Sequence, residues 1–230
     1  MQMVILCGGL ATRLGSLSKT IPKSMMLIDG KPFLEYQIEN LKKNSIKDII
    51  LCVGHLSEKI ESYFGDGNKF DIDIKYSYDG EKLLGPMGAV KNAESLLDDI
   101  FFIMYGDSYL SLDFKKVHSF FINESKLGLM VVYKNYDKFD KSNLIVKNNI
   151  VRAYGENNRT KEMIYIDYGT SILRKKSLEL IPKNTYFSTG QFFIKLIEKN
   201  ELLAYEADKR FYHIGNPESL RELRNYIKNR

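Results

Sequence analysis

The sequence predicts an α/β protein built on a doubly wound, mostly parallel but mixed sheet with helices on both faces. Three observations carry that expectation. The runs Met3-Val4-Ile5-Leu6-Cys7, Ile49-Ile50-Leu51-Cys52-Val53 and residues 100–105 are apolar without alternation, as strands covered on both faces are. Stretches with apolar residues at helical spacing lie between them. Strands alternating with helices need right-handed crossovers, and those produce a parallel sheet.

The elements follow in order. After the first strand, Gly30-Lys31-Pro32 predicts a turn with proline at the start of a helix, whose Leu34, Ile38 and Leu41 share one face. Residues 48–54 are the second strand. Ser57 is expected to cap a short helix that turns Ile60 and Phe64 inward and closes at Gly65-Asp66-Gly67. Residues 71–77 alternate as a strand, and Leu84-Gly85-Pro86-Met87-Gly88-Ala89 opens a helix expected to run to about Leu97. The strand at 100–105 ends in Gly106-Asp107-Ser108. Residues 114–122 read as a helix with Val117, Phe120 and Phe121 inside and His118 as a surface or satisfied residue. Another strand spans 127–133, and the polar, turn-rich stretch 134–149 is expected to cross the sheet edge. An amphipathic helix at 188–199, a strand at 202–206 and a final helix capped by Asn216 and begun by Pro217 complete the chain.

Two features of this pattern carry chemistry. Gly8-Gly9 follows a buried strand, where unencumbered N–H groups converge on an anion, and Arg13 and Lys23 bring two positive charges to the same mouth. A phosphate chain is the guest these groups suit. Neither G-x-x-x-x-G-K-[ST] nor G-x-G-x-x-G is present, which excludes the two common phosphate fingerprints. The second feature is Asp107, a carboxylate at the carboxyl edge of a central strand, where open α/β sheets bind ligands. Such an oxygen donor, with phosphate oxygens and waters, suits Mg²⁺.

The stretch Gly8-Gly9-Leu10-Ala11-Thr12-Arg13-Leu14 followed by Pro22-Lys23-Ser24-Met25 resembles the signature of sugar-1-phosphate nucleotidylyltransferases, G-G-x-G-T-R-L and P-K-x-M. The resemblance extends over essentially the whole chain and implies a Rossmann-like sheet. It implies that Leu6, Gly8, Gly9, Leu10, Ala11, Thr12 and Arg13 hold a nucleoside triphosphate, with Gly85 and Gly88 of an L-G-x-x-G-A loop against the base. Arg13, Lys23 and Asp107 are then the catalytic residues, Asp107 the Mg²⁺ ligand, and Lys23, Glu156 and Gly169 the groups that hold the sugar phosphate. Four positions depart from the pattern. Ala11 replaces a glycine, Pro86 a threonine, Asn157 a lysine, and His213 the acidic residue before Ile-Gly that is often the second metal ligand. Imidazole suits hard Mg²⁺ poorly, so the second place is left between His213, Asp208 and no protein group.

The implied reaction is attack by a sugar 1-phosphate on the α-phosphorus of a nucleoside triphosphate, giving an NDP-sugar and pyrophosphate. The attacking phosphate is already anionic, so no general base is needed, and no Ser-His or Cys-His pair is seen. The segments Gly106-Asp107-Ser108-Tyr109-Leu110 and Ile166-Asp167-Tyr168-Gly169 are similar to a branch associated with heptose activation for surface polysaccharides. That similarity implies GTP with a heptose or mannose 1-phosphate. Two alternatives stay open: a nucleotidyltransferase for a non-sugar phosphate, of cytidylyl or molybdopterin type, and a nucleotide-binding regulatory subunit without catalysis. Residues 1–230 are expected to be a single domain, with a nucleotide half (1–112) and an acceptor half (113–230).

Composition sets outer limits. With 34 Lys+Arg against 29 Asp+Glu the net charge is +5, and the basic residues are scattered, which suits small polyanions rather than nucleic acid. Cys7 and Cys52 are isolated and lie in apolar runs, so they read as small hydrophobes in a reducing compartment. Met1 leads straight into the first strand, leaving no room for a signal peptide, and no apolar run approaches a membrane span. A cytoplasmic protein without a membrane partner is expected, and self-association is left open.

Overall fold

The structure, a computed structural model, describes residues 1–9, 20–80, 82–155 and 158–229. Strand β1 (Gln2–Leu6) alternates between two buried faces, Met3 and Ile5 toward one layer of helices and Val4 toward the other. A hairpin of two-residue strands, β2 (Leu27–Ile28) and β3 (Lys31–Pro32), leads into helix α1 (Phe33–Lys43). Gly30 turns that hairpin at φ +84°, a conformation open to glycine.

β4 (Asp48–Val53), α2 (Ser57–Phe64) and β5 (Asp73–Tyr78) follow. Ser57 does not cap α2; it is the first helical residue, and the cap position is Leu56 in a left-handed conformation at φ 60°. Helix α3 (Gly85–Asn92) is shorter than its apolar spacing predicts and gives way to a 3-10 turn at Glu94–Leu96. The Ala93 N–H still bonds the Ala89 carbonyl, and the backbone then tightens to three-residue spacing, with the Leu96 N–H on the Ala93 carbonyl at 2.8 Å and the Leu97 N–H on that of Glu94 at 3.3 Å. β6 (Ile100–Tyr105) and β7 (Ser108–Tyr109) flank Gly106 and Asp107, and α4 (Phe114–Ile122) is capped by the Asp113 side chain, which accepts the Lys116 N–H.

The second half contains β8 (Gly128–Lys134), β9 (Leu144–Lys147), β10 (Ile150–Tyr154) and β11 (Tyr165–Arg174). Helix α5 (Thr189–Glu198), opened by a Ser188–Gln191 capping box, precedes β12 (Leu202–Glu206). β13 (Tyr212–His213) and α6 (Pro217–Lys228), capped by Asn216, end the fold. The stretch 134–149 thus holds a strand, β9, which joins β10 in a hairpin. Its turn places Asn148 at φ 53° and Asn149 at φ 55°, the two consecutive left-handed residues that a tight hairpin takes from asparagine.

One nine-stranded mixed sheet has the order β5-β4-β1-β6-β11-β8-β12-β10-β9. Its first four strands are parallel, as helical crossovers require. Beyond β6 the directions mix. β11 runs antiparallel to both β6 and β8, β12 is parallel to β8, and β10 is antiparallel to β12 and β9. The sheet is thus mixed as expected, parallel over its first four strands, and in the second half the β9–β10 pair is joined by a tight hairpin.

Apolar side chains of α1, α2 and α4 cover one face and those of α3 and α5 the other. A third, smaller cluster joins Ile28, Phe33, Tyr109, Ile214 and Leu223, tying the β2–β3 hairpin and α6 to the paired β7 and β13. No helix among the described residues is long and apolar enough to cross a membrane. Where β6 ends, the Gly106 N–H donates to the Leu6 carbonyl at 3.1 Å, and a Cβ on Gly106 would stand 2.5 Å from that same oxygen. Backbone on both sides leaves nothing to yield. Gly106→Ala is therefore expected to lower stability by about 1–3 kcal/mol, read as a fall in the urea midpoint; an unchanged midpoint would show that β6 can shift from β1 at no cost.

Candidate functional site

The carboxyl ends of β1, β4, β5 and β6 open into a cavity of about 550 Å³. Gly8 and Gly9 after β1, Asp79 after β5, Gly85 and Pro86 at the start of α3, and Tyr105 and Asp107 at the end of β6 line it. A second cavity of about 340 Å³ lies on the antiparallel side, lined by Asn143, Tyr154, Asp167, Gly169, His213 and Asn216 among others. Lys23, Tyr105 and Asp107 belong to both linings.

Where the two cavities meet, Lys23 Nζ lies 2.5 Å from Asp107 Oδ2. Pro22 sets the backbone just before the 3-10 turn Lys23–Met25; Ser24 of that turn lines the first cavity and Lys23 lines both. Asp107 is held from the other side: its carbonyl accepts the Ile214 N–H at 3.0 Å, and its Oδ1 accepts from Ser108 Oγ at 3.2 Å. A cation and a carboxylate at one junction can serve an anionic ligand in each cavity at once.

Asp79 is not among the residues the sequence singles out. Its signal is the one that marks Asp107, an acidic residue directly after a parallel strand. Asp79 Oδ2 lies against the glycine walls, 3.3 Å from where a Gly8 Cβ would stand and 3.4 Å from that of Gly54. Burial pushes its carboxyl up to about 6, and a bond from the Leu84 backbone offsets only part of that. Cys7 and Cys52 also line this cavity, but burial pushes the Cys7 thiol up to about 12 and raises Cys52 as well, so neither is a nucleophile.

In the second cavity the Asp167 carboxylate accepts the Tyr105 hydroxyl at 2.8 Å and the Gly169 N–H at 2.9 Å. Burial pushes its carboxyl up to about 6, against those two bonds, and burial together with Asp167 raises the Tyr105 phenol. Gly169 interrupts the β11–β8 register at φ +93°, and a Cβ there would come within 2.9 Å of Ser108 Oγ. A side chain would thus wedge this wall away from β7.

Of the residues expected to form the site, Leu6, Gly8, Gly9, Gly85, Lys23 and Asp107 line the first cavity, and Gly169 the second. Gly88 does not line the cavity. Its missing side chain makes room for the Thr185 carbonyl, 2.8 Å from a Cβ position, so the packing of α3 on 185–187 demands glycine there. Leu10, Ala11, Thr12, Arg13 and Glu156 lie outside the described residues, as does Asn157. Asp208 is exposed and lines neither cavity. His213 lines the second cavity with both ring nitrogens engaged, Nδ1 by the Gly215 N–H at 2.9 Å and Nε2 with Asp140 Oδ2 at 2.8 Å. Among the described residues no group of three metal-ligating side chains converges.

A family model described as "Nucleotidyl transferase" matches residues 2–230. The chain is 36% identical over 219 residues to D-glycero-alpha-D-manno-heptose 1-phosphate guanylyltransferase of Campylobacter jejuni, covering 95% of this chain and 96% of that one. It is 33% identical over 235 residues to the protein of the same name from Aneurinibacillus thermoaerophilus, covering 99% and 100%. Its fold is similar to that of HddC from Yersinia pseudotuberculosis complexed with GMP-PN, at a TM-score of 0.81, 28% identity and coverage of 98% and 99%.

The raised Asp79 value has a consequence for stability. Its folded value near 6 lies above the ordinary 3.8, so the charged form is disfavoured by the fold: the cost is absent well below 3.8 and complete above 6. Asp79→Asn is expected to raise the melting temperature at pH 7.5, with a gain that shrinks by pH 4. A variant that melts lower at pH 7.5 would mean that the carboxylate is well compensated where it stands.

Proposed function

Because the chain belongs to the nucleotidyl transferase family, we propose that it transfers a guanylyl group from GTP to a heptose 1-phosphate, with release of pyrophosphate. The observation that carries this reading is the pair of cavities joined at Lys23 and Asp107. One transfer reaction needs a nucleotide and an acceptor phosphate to meet at a single cationic point, and two sequence-distant halves of the chain supply one wall each.

The first cavity suits guanine through Asp79. An ionised carboxylate accepts two parallel hydrogen bonds, and guanine alone among the common bases offers N1–H and N2–H side by side. Adenine presents an acceptor at N1, which the carboxylate repels. Gly8 and Gly9 leave the strand end uncovered, so the backbone can approach the ligand closely. Relatives named as guanylyltransferases of a heptose 1-phosphate over nearly the whole chain support both substrates.

In the reaction an oxygen of the sugar phosphate forms a bond to the α-phosphorus. The bond from that phosphorus to the bridging oxygen breaks, and pyrophosphate leaves with the electron pair. The acceptor is anionic throughout, so no side chain needs to remove a proton. Lys23 reaches both cavities and can meet the acceptor phosphate and the triphosphate together, lowering their repulsion and neutralising charge on the reacting oxygens. Arg13 is assigned to the triphosphate on its motif. Asp107 is an oxygen donor of the hard kind Mg²⁺ prefers and would hold it together with phosphate oxygens and water. Mg²⁺ held there would supply charge neutralisation on the phosphates. Tyr105 and Asp167 bind the sugar side, where the carboxylate accepts hydroxyl protons.

Pyrophosphate release with five nucleoside triphosphates against heptose, mannose and glucose 1-phosphates tests the proposal directly; GTP with heptose 1-phosphate is expected to lead, and no release with any pair would sink it. Lys23→Ala is expected to lose roughly 10²-fold or more in kcat, with folding unchanged by circular dichroism. The pH dependence follows from Asp79. The carboxylate is ionised above about 6 and protonates below it, so the KM for GTP is expected to climb as pH falls from 7 to 5, while in Asp79→Asn it is high and flat. Parallel pH profiles in the two proteins would place the base elsewhere.

A further inference from the structure

One wall of the second cavity is made by two segments distant in the chain, and contacts outside the sheet and its cores hold them together. The first is the 135–143 loop between β8 and β9. It fixes its own shape: Asn135 Nδ2 donates to the Asp140 carbonyl at 2.6 Å, and Asp137 Oδ1 accepts from the Ser142 N–H and from Arg159, each at 2.6 Å. The second is the 210–219 segment carrying β13 and the start of α6. The Arg210 guanidinium lies 3.6 Å from the centroid of Phe139 in the loop and 4.5 Å from that of Tyr212, and is tied to Glu222 at 2.7 Å. Next to this stack Asp140 Oδ2 meets His213 Nε2 at 2.8 Å.

The roles in that contact follow from the other ring nitrogen. His213 Nδ1 accepts the Gly215 N–H at 2.9 Å, so the neutral ring carries its proton on Nε2 and donates it to Asp140. Ser219 Oγ lies 3.1 Å from the same Nε2. The arrangement accounts for a histidine where the resembling family has an acid: the carboxylate of this wall comes from the loop, and the histidine orients it. A carboxylate is an acceptor-only group with about four lone-pair sites, and one hydrogen bond from His213 leaves the rest for donors. Lys23 and Asp107 already serve the phosphates at the junction. What Asp140 adds is a partner for hydroxyl groups, two at once from a vicinal diol.

We propose that Asp140 is a specificity-determining residue for the acceptor, binding hydroxyls of the sugar, and that His213 is the positioning residue that holds its carboxylate toward the cavity. The proposal rests on the sugar-phosphate reading given above. Side-chain truncation at Asp140 leaves the loop its own support, because Asn135 bonds the Asp140 backbone carbonyl.

The test is steady-state pyrophosphate release with GTP and heptose, mannose and glucose 1-phosphates, beginning with the wild-type protein. Activity with none of the three overturns the sugar-phosphate reading and takes this proposal with it before any variant is compared. With wild-type activity in hand, Asp140→Ala is expected to raise the KM of the preferred sugar phosphate about 10-fold or more. Its KM for GTP and its melting temperature should stay put, and the kcat/KM ratios of the preferred sugar over the other two should shrink toward one. His213→Ala should shift the acceptor KM in the same direction by less, and the double variant should be no worse than Asp140→Ala alone, since His213 acts through Asp140. An unchanged acceptor KM and unchanged sugar ratios in Asp140→Ala overturn the assignment of Asp140; additive effects in the double variant overturn that of His213.

Discussion

Strand β1 is hydrogen-bonded in parallel on both sides, to β4 and to β6, and that pairing brings the ends of the central strands to one edge of the sheet. Because strands in a parallel block all finish on the same side, the Gly8-Gly9 turn, Asp79 and Asp107 arrive around one cavity although up to a hundred residues separate them. The approach of Gly106 to the Leu6 carbonyl locks this edge, since it leaves no space between the end of β6 and β1. Everything the site does depends on that registry, including the reach of Lys23 to Asp107.

Among the described residues several carboxylates line the two cavities, and each is compensated in a different way. Asp107 is paired with Lys23 at 2.5 Å, so its charge is balanced and the cation is held at the junction. Asp167 is buried and takes two hydrogen bonds, from Tyr105 and Gly169, which orient it as an acceptor. Burial against the glycines pushes the Asp79 carboxyl up to about 6, and the bond from the Leu84 backbone offsets only part of that. Asp140 is steered by a neutral histidine. In the proposed reaction the acidic groups would meet the base and the sugar hydroxyls, and Lys23 the phosphates.

Local pattern made much of the fold legible. The apolar runs became β1, β4 and β6, the proline and asparagine signals opened α1 and α6, and the Ser188–Gln191 box opened α5. Where reading failed, a backbone choice or a tertiary contact outweighed the local pattern. Leu56 rather than Ser57 takes the cap position of α2 because the chain enters the helix through a left-handed residue. β9 was hidden in a polar stretch because it is short, and Asn148-Asn149, its hairpin signal, lacks the glycine that usually announces such a turn.

The sequence by itself determined the alternation of strands and helices, because that pattern depends on residues next to one another in the chain, and the motif residues Lys23, Asp107 and Gly169 line the two cavities. Only the tertiary structure decided that Gly88 answers to the Thr185 carbonyl, that Asp79 faces the first cavity, and that His213 is engaged by Asp140. It also decided the strand order, with β11 antiparallel between β6 and β8. Local periods record which residue follows a strand and which face it takes. Which residues confront one another across a cavity depends on the order in which strands pair, and no local period carries that order.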